Sequence, residues 1–569
     1  MTTTNPAGST PGEVESKGLK GGALGLIGSI VVGVASTAPA YSLAASLGFV
    51  VATVNGHGII GTKAPAIMLL AFVPMFFIAI AYQELNKAEP DCGTTFTWAA
   101  RAFGARAGWM GGWGIVAADV IVMANLAQIA GSYSYNMVGA DSLAASTFWS
   151  TVAGIIWIIV MTYICYRGIE VSARLQYGLL GIEVTVLIFF ALYALIKVYS
   201  GNAPDGSAHP SLSWIVPTGL STDALVSGTL IAVFIYWGWD TAVACNEESD
   251  DPGTTPGRAA VLSTVLLLVT YVLVSVATVA FAGVGSGGIG LGNEANSDDV
   301  FHAMGAAVFG GGVIGHLLEG LLILSVLTSA SASTQTTILP TARTTLSMGA
   351  YRAIPTRFAK IHPKFLTPTD STVLMGLVSI LFYVGMTLIS QNVLGDSIAA
   401  VGLLIAFYYG LTGFACVWYY RHTLTSSPRN IMMRGVIPFV GGVLLLGAFI
   451  KACFLYADPN YGSTKMFGIG GVFVLGIGSL VLGIVLMEIY RAIQPAYFKG
   501  ETLPKRADFL LAPGDGSIAH VGLPDSGEMP TVIAQDLSNL PPGQVALDPA
   551  TGERFVRPQD DPPPTDPED

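Results

Sequence analysis

The sequence predicts an all-α polytopic membrane protein of twelve transmembrane helices, and three observations carry that prediction. The 569-residue chain is 52% hydrophobic and only 11% charged, with a mean hydropathy of +0.62; soluble chains carry about 25% charged residues. Apolar runs of about 20 residues, each long enough to cross a ~30 Å hydrocarbon core as a helix, recur from Leu24 to Arg491. Lys and Arg also divide unequally between alternate loops. If the N-terminus is cytoplasmic, 22 of the 26 fall on the cytoplasmic side, and Lys63, Lys197, Lys451 and Lys465 are the exceptions. That is the positive-inside pattern, and it predicts a multi-pass protein of the plasma (inner) membrane with both termini in the cytoplasm.

The runs centre near residues 38, 73, 122, 156, 186, 235, 270, 325, 381, 408, 444 and 478. The expected organisation is a cytoplasmic, disordered N-terminus over 1–20, a transmembrane domain over 21–494, and a Pro-rich acidic tail over 495–569. The net charge of -11 belongs mostly to that tail, since twelve acids and two arginines follow residue 506. Its composition is too poor in apolar residues to bury a core, so a solvated extension or a docking site for a regulatory partner is expected. The N-terminus lacks the order of a cleaved signal peptide, and the first helix is expected to act as the insertion signal. Cys92, Cys165, Cys245, Cys416 and Cys453 show no ligand spacing, so neither a metal nor another cofactor is expected.

The first run, "GLIGSIVVGVASTAPAYSLAASLG", should be interrupted. Pro39 removes a donor and pushes Ala38 away from helical geometry. Gly33, Val34, Ala35, Ser36 and Thr37 lie just upstream, where an unwound backbone would meet a solute. In the third run Asp119 lies at membrane depth, where a helix–helix hydrogen bond is the simpler role. In the fifth, Glu183 is equally deep. In the sixth, "AVFIYWGWDTAVACNEESDDP" places Gly238 and Asp240 midway, with Phe234 and Trp237 just before the break to cover a solute. The eighth run carries Ser325, Ser329, Ser333 and Thr336 at helical spacing, which suits either close packing or cation ligation.

Interruptions in the first and sixth runs, five crossings apart, predict two inverted repeats, about 21–200 and 222–422, followed by extra helices at about 431–492. Paired breaks of this kind point to a transporter's midplane site. Broken ends expose N–H groups that attract carboxylates and C=O groups that attract ammonium, so a zwitterion is the natural guest.

The chain resembles the amino acid–polyamine–organocation permeases, of bacterial amino acid permease type. The resemblance rests on "ELNKAEPDCGTTFTWAARAFG" (Glu84 to Gly104), "GWDTAVACNEESDDP", and "TARTTLSMGAYRAIPTRFAKIHPKFLTPTDS" (Thr341 to Ser371), in that order. It implies the five-plus-five repeat and alternating-access transport of an amino acid or amine. It also sets Glu183 where many proton-coupled members carry a Lys. Three roles stay open for Glu183: proton coupling, a neutral structural hydrogen bond, and direct contact with a cationic solute or a metal ion. Asp240 matches the family's acid after the second break, as a switchable carboxylate or as a helix cap. "GVASTAPA" departs from the family's Gly-x-Gly, which leaves the carboxylate-binding amides undefined.

The expected function is a secondary active transporter, coupled to protons or working by exchange, with lipid as its surroundings and no nucleic acid partner. A sodium-coupled symporter and a transporter-like sensor signalling through the tail are the alternatives. No GxSxG, HExxH or P-loop motif is present, so an enzyme is not expected.

Overall fold

The computed structural model describes residues 17–505, except His57, Asp298, residues 390–392 and Ser463, together with short strand segments between Phe509 and Val556. The remainder of the expected tail, and any partner docking there, lies outside the described residues. In chain order the helices are α1 (Leu26–Thr37), α2 (Pro39–Ala52), α3 (Ala64–Ala88), α4 (Thr95–Phe103), α5 (Ala105–Asn136), α6 (Asp141–Ala144), α7 (Thr147–Arg167) and α8 (Ile169–Tyr199). There follow α9 (Thr222–Tyr236), α10 (Thr241–Ala244), α11 (Thr255–Ala282), α12 (Val300–Phe309), α13 (Gly312–Ala350), α14 (Thr369–Ile389) and α15 (Val393–Tyr419). The last are α16 (Pro428–Asn430), α17 (Ile437–Tyr456), α18 (Gly471–Ile493) and α19 (Pro495–Phe498).

Among the described residues, with α1 and α2 taken as one span, eleven helical segments are long and apolar enough to cross a membrane. At the position of the expected sixth crossing the run is cut after Tyr236. The 15-residue α9, at 1.5 Å per residue, reaches only ~22 Å of a ~30 Å core. The difference from twelve comes from the interruption itself, because Trp237–Asp240 divides the run into a long piece and a single turn.

The 39-residue α13 is the central post. It packs against α5, α7, α8 and α14 and touches both α1 and α2. The outer helices expose apolar side chains where lipid would lie, such as Ile156, Ile159 and Val160 on α7 and Val481, Leu482 and Val485 on α18. Lipid is as apolar as leucine, so helix association needs close backbone approach rather than a hydrophobic drive. At the α5–α7 crossing a Cβ on Gly131 would overlap the Ser150 carbonyl, and one on Gly154 would stand 2.5 Å from the Ala127 carbonyl oxygen.

Glu84, fully buried on α3, ties the later helices to the bundle. It accepts from Arg429 Nη2 at 2.6 Å, Arg434 Nε at 2.8 Å and Lys87 Nζ at 3.1 Å. Segments that composition assigns to the polar ends also pack on the body. Lys17 and Leu19 are covered near the start of the described chain, and Tyr497 and Leu503 are buried after α18. The Tyr497 hydroxyl donates to the Ala105 carbonyl at 3.0 Å, and Thr502 donates to the Tyr351 carbonyl at 2.5 Å.

Gly154→Leu should overpack the α5–α7 crossing and destabilise the purified protein by roughly 1–3 kcal/mol or more. Gly181→Leu, where an added Cβ meets nothing within 4 Å, should leave the thermal midpoint nearly unchanged. Equal losses in the two variants would contradict the close crossing.

Candidate functional site

The first interruption is a single residue. Ala38 adopts a left-handed conformation (φ 47°, ψ 66°) between α1 and α2, and Gly33 to Thr37 remain helical. The unwound stretch expected upstream is therefore narrower than the sequence reading allowed. Pro39 supplies the stop by itself and opens α2 at a position where its missing N–H is harmless.

The amides left open at the start of α2 are met from within the chain. Ala40 N–H donates to Glu183 Oε1 at 2.7 Å, Tyr41 N–H to Ser329 Oγ at 3.0 Å, and Ser42 N–H to the Ala38 carbonyl at 2.8 Å. Ser329 in turn donates to Glu183 Oε1 at 2.7 Å, which joins α2, α8 and α13. On the other side of the break, Ser333 donates to the Ser36 carbonyl at 2.9 Å and Ser42 Oγ to the Thr37 carbonyl at 2.6 Å.

The second interruption is wider. α9 ends at Tyr236, Trp237 is extended (φ -74°, ψ 144°), Gly238 has φ +123°, and α10 resumes for four residues only. The two breaks touch. A Cβ on Gly238 would lie 2.7 Å from the Ser36 carbonyl carbon and oxygen and 2.9 Å from the Thr37 nitrogen. Glycine is required there twice, for its positive φ and for this approach. Ser36 Oγ and Thr241 Oγ1 complete the contact at 2.8 Å.

Beside it lies a narrow hollow, lined by Ser36, Trp237, Gly238 and Asp240 from the breaks, with Thr241, and by Ile115, Asp119, Thr337 and Pro340 from α5 and α13. In this conformation it has room for a water molecule rather than a larger solute. Trp237 Nε1 donates to the Tyr408 hydroxyl, which donates to Asp240 Oδ2 at 3.1 Å. Asp240 stands at the head of α10 without a side-chain capping bond. Thr341 donates to Asp119. The expected bond between helices is present, and the same acid also faces the hollow.

Ser36, Trp237, Gly238 and Asp240 are thus brought together. Gly33 packs near Ser263 and the Trp239 carbonyl, and Val34, Ala35 and Thr37 are buried in α1 away from the lining. Phe234 is buried with its ring 6.5 Å from that of Trp237, outside the lining, and Glu183 lies behind the first break. The sequence reading missed Ile115, Thr241, Thr337, Pro340 and Tyr408. Thr337 follows Thr336 of the hydroxyl stripe, which was the nearest available signal.

A second polar cluster lies at the end of the bundle where α3 leaves for α4. Lys17 Nζ sits 2.9 Å from Asp91 Oδ2 and 2.5 Å from Glu247 Oε1. Asp91 Oδ1 also accepts from Gly93 N–H at 2.7 Å, Thr97 at 2.9 Å and Ser347 at 2.8 Å. Next to it Arg343 binds Glu248 through Nε at 2.6 Å and Nη2 at 2.9 Å. Asp91, Cys92 and Glu247 are near enough together to hold a metal ion, and the Lys17 ammonium supplies the positive charge there. Burial works against ionisation of both Lys17 and Asp91. Their mutual attraction outweighs it, raising Lys17 well above and lowering Asp91 below their usual values.

An all-helical membrane protein with two adjoining helix breaks around a buried polar hollow has the architecture of a solute carrier. The amino acid permease family profile matches residues 24–481, and the chain belongs to that family of membrane transporters. It is 25% identical over 485 residues to an uncharacterised transporter of Mycobacterium tuberculosis, covering 83% of this chain and 93% of the other. It is 24% identical over 215 residues to a branched-chain amino acid permease of Lactococcus lactis, covering 36% of this chain and 45% of the other. A low-affinity putrescine importer of Escherichia coli is 22% identical over 435 residues, with 75% and 87% covered.

Two outcomes are expected. Gly238→Ala should lower solute binding at least tenfold in equilibrium measurements while the protein still purifies as a monodisperse species; unchanged binding would contradict the tight contact. Lys17→Met should lower thermal stability by about 3–5 kcal/mol, because it strands buried carboxylates. Asp91 is held below its usual range in the folded state, so the stabilisation is full above its unfolded value of about 3.9 and is lost as pH falls through the lower folded value. The pair's contribution in the wild type should therefore be constant from pH 5 to 8 and fade only below about pH 4, whereas the gap in thermal midpoint to Lys17→Met should begin to narrow at a higher pH, because a buried Asp91 without its counter-charge takes up a proton more readily.

Proposed function

We propose that the protein is a secondary active transporter that carries an amino acid or related amine by alternating access, driven by protons or by exchange. The observation that carries this reading is the contact of Gly238 with Ser36 and Thr37, which puts both helix breaks and two carboxyl groups around one hollow at mid-bundle. Main-chain groups at broken ends and acids at this depth are costly unless a ligand or water cycles through them.

In this reading α9 and α10 together make a twelfth crossing. Residues 21–200 and 222–422 form the inverted halves, and the helices at about 431–492 are additions. The five crossings between the breaks support that division, and the Lys and Arg distribution supports cytoplasmic termini. Ser36, Trp237, Gly238 and Asp240 contact the solute. Gly33, Val34, Ala35 and Thr37 hold the first break in place, and Phe234 backs Trp237.

Glu183 is the coupling group. Its Oε1 holds the start of α2 to α13, while its buried Oε2 has no hydrogen-bond partner among the described residues. A proton on this carboxyl weakens the Ala40 contact, so its arrival and departure act directly on the break. Asp240 is the second candidate. Ser329 and Ser333, two of the four hydroxyl residues for which cation ligation is the alternative to close packing, are both engaged in hydrogen bonds, which supports protons over sodium. Lys17, joined to Asp91 and Glu247, acts as the inner latch that must part for release.

Purified protein in liposomes provides the test. Wild type should accumulate solute in response to an inwardly directed proton gradient. Glu183→Gln should still bind solute but lose most of that response. Accumulation that follows sodium alone would sink the proton reading, and binding without accumulation would favour the sensor alternative.

A further inference from the structure

The start of α2 is where a helix break offers free amides to an anion, and a solute carboxylate is the expected guest. Here that place is taken. Pro39 has no N–H, and the three amides that follow are bonded to Glu183, Ser329 and the Ala38 carbonyl. The Ala38 N–H itself is bonded to the Ala35 carbonyl at 3.2 Å. The chain's own carboxyl group sits where a solute's would dock. A competing carboxylate would have to displace a fully buried side chain and would leave it unpaired.

The hollow itself is no better suited to an anion. Among the described residues its lining contains Asp119 and Asp240, three hydroxyl residues (Ser36, Thr241 and Thr337) and the Trp237 ring, and no Lys, Arg or His. An incoming carboxylate would meet two acids and no counter-charge. An ammonium group meets acceptors, an aromatic face suited to a cation, and the apolar surface of Ile115 and Pro340. At the second break α10 is a single turn headed by Asp240, so it adds no anion site.

From these observations we infer that the solute is an organic amine without a carboxylate, held as a cation between Asp119 and Asp240 while Glu183 caps the amides that an amino acid would need. The inference rests on the hollow being the transport site, and it narrows the class of solute that the site takes.

Matched pairs that differ only by the carboxylate test it: 1,4-diaminobutane with ornithine, 2-phenylethylamine with phenylalanine, and 3-methylbutylamine with leucine. Each is measured by equilibrium binding to the full-length protein and by uptake into liposomes. In any pair that binds, the amine should bind at least tenfold more tightly than its amino acid. If an amino acid matches or exceeds its amine, the inference falls and the transport reading stands. If no member of any pair binds or is taken up, both fall.

Two variants probe the cap itself. Glu183→Gln keeps an oxygen for the Ala40 amide and should retain the preference for amines even where proton response is lost. Glu183→Ala frees that amide and should shift the amine-to-amino-acid ratio at least tenfold towards the amino acid. A ratio that is the same in both variants as in wild type would show that Glu183 does not set the choice.

Discussion

A main-chain N–H at membrane depth has no water to turn to, and an unmet one costs several kcal/mol. The arrangement at the start of α2 follows from that constraint. Interrupting the first helix with Pro39 frees amides at Ala40 and Tyr41, and both acceptors must come from other helices. Glu183 on α8 and Ser329 on α13 supply them and bind each other as well. The break is thus a three-helix junction whose geometry depends on one carboxyl group. Any change in that group's protonation or position alters the bonding of α2 directly.

The second break is built on a different principle. It is held by the absence of a side chain at Gly238, which lets its backbone rest on Ser36 and Thr37. Beyond it, α10 is one turn long and leads through Cys245 to the acids Glu247 and Glu248, which bind Lys17 and Arg343. The hollow and the charged end of the bundle are therefore joined by a short piece of chain with little helix to absorb strain. A displacement of Gly238 from Ser36 would be passed along this short piece of chain towards Asp240 and the Lys17 and Arg343 contacts. Buried pairs of this kind contribute little net stability but are costly to break singly, which suits a latch that opens as a unit.

The parts of this arrangement that were legible in the sequence are the local ones. Pro39 stops a helix wherever it stands, and Gly238 beside Asp240 is improbable in an intact membrane helix, so both breaks could be placed from a few neighbouring residues. The family resemblance was equally local, carried by three short motifs. The partners of the breaks were not legible, because Glu183 and Ser329 lie 143 and 288 residues from the amides they cap. Ile115 and Thr337 escaped notice for a related reason. Their helices are buried on several sides, so apolar periodicity does not single out one inward face. At the chain ends, composition indicated solvated segments, yet Lys17, Leu19, Tyr497 and Leu503 are each buried. A few anchoring side chains suffice to seat a polar segment, and averages over composition do not register them.

The departure from Gly-x-Gly at the first break gains meaning from this geometry. Glycines there would leave an open, flexible backbone for an incoming carboxylate, whereas "STAPA" closes the gap to one left-handed residue and starts α2 at once. A closed gap with its amides already bonded has little to offer an anion. It does suit a built-in acid that holds the junction, as Glu183 does. The same closed gap gives Glu183 its place, so in the proposed reading solute choice and coupling both trace to one structural feature. Among the described residues, Asp119 and Asp240 on the far side of the contact are then the only ionisable acids or bases in the lining of the hollow.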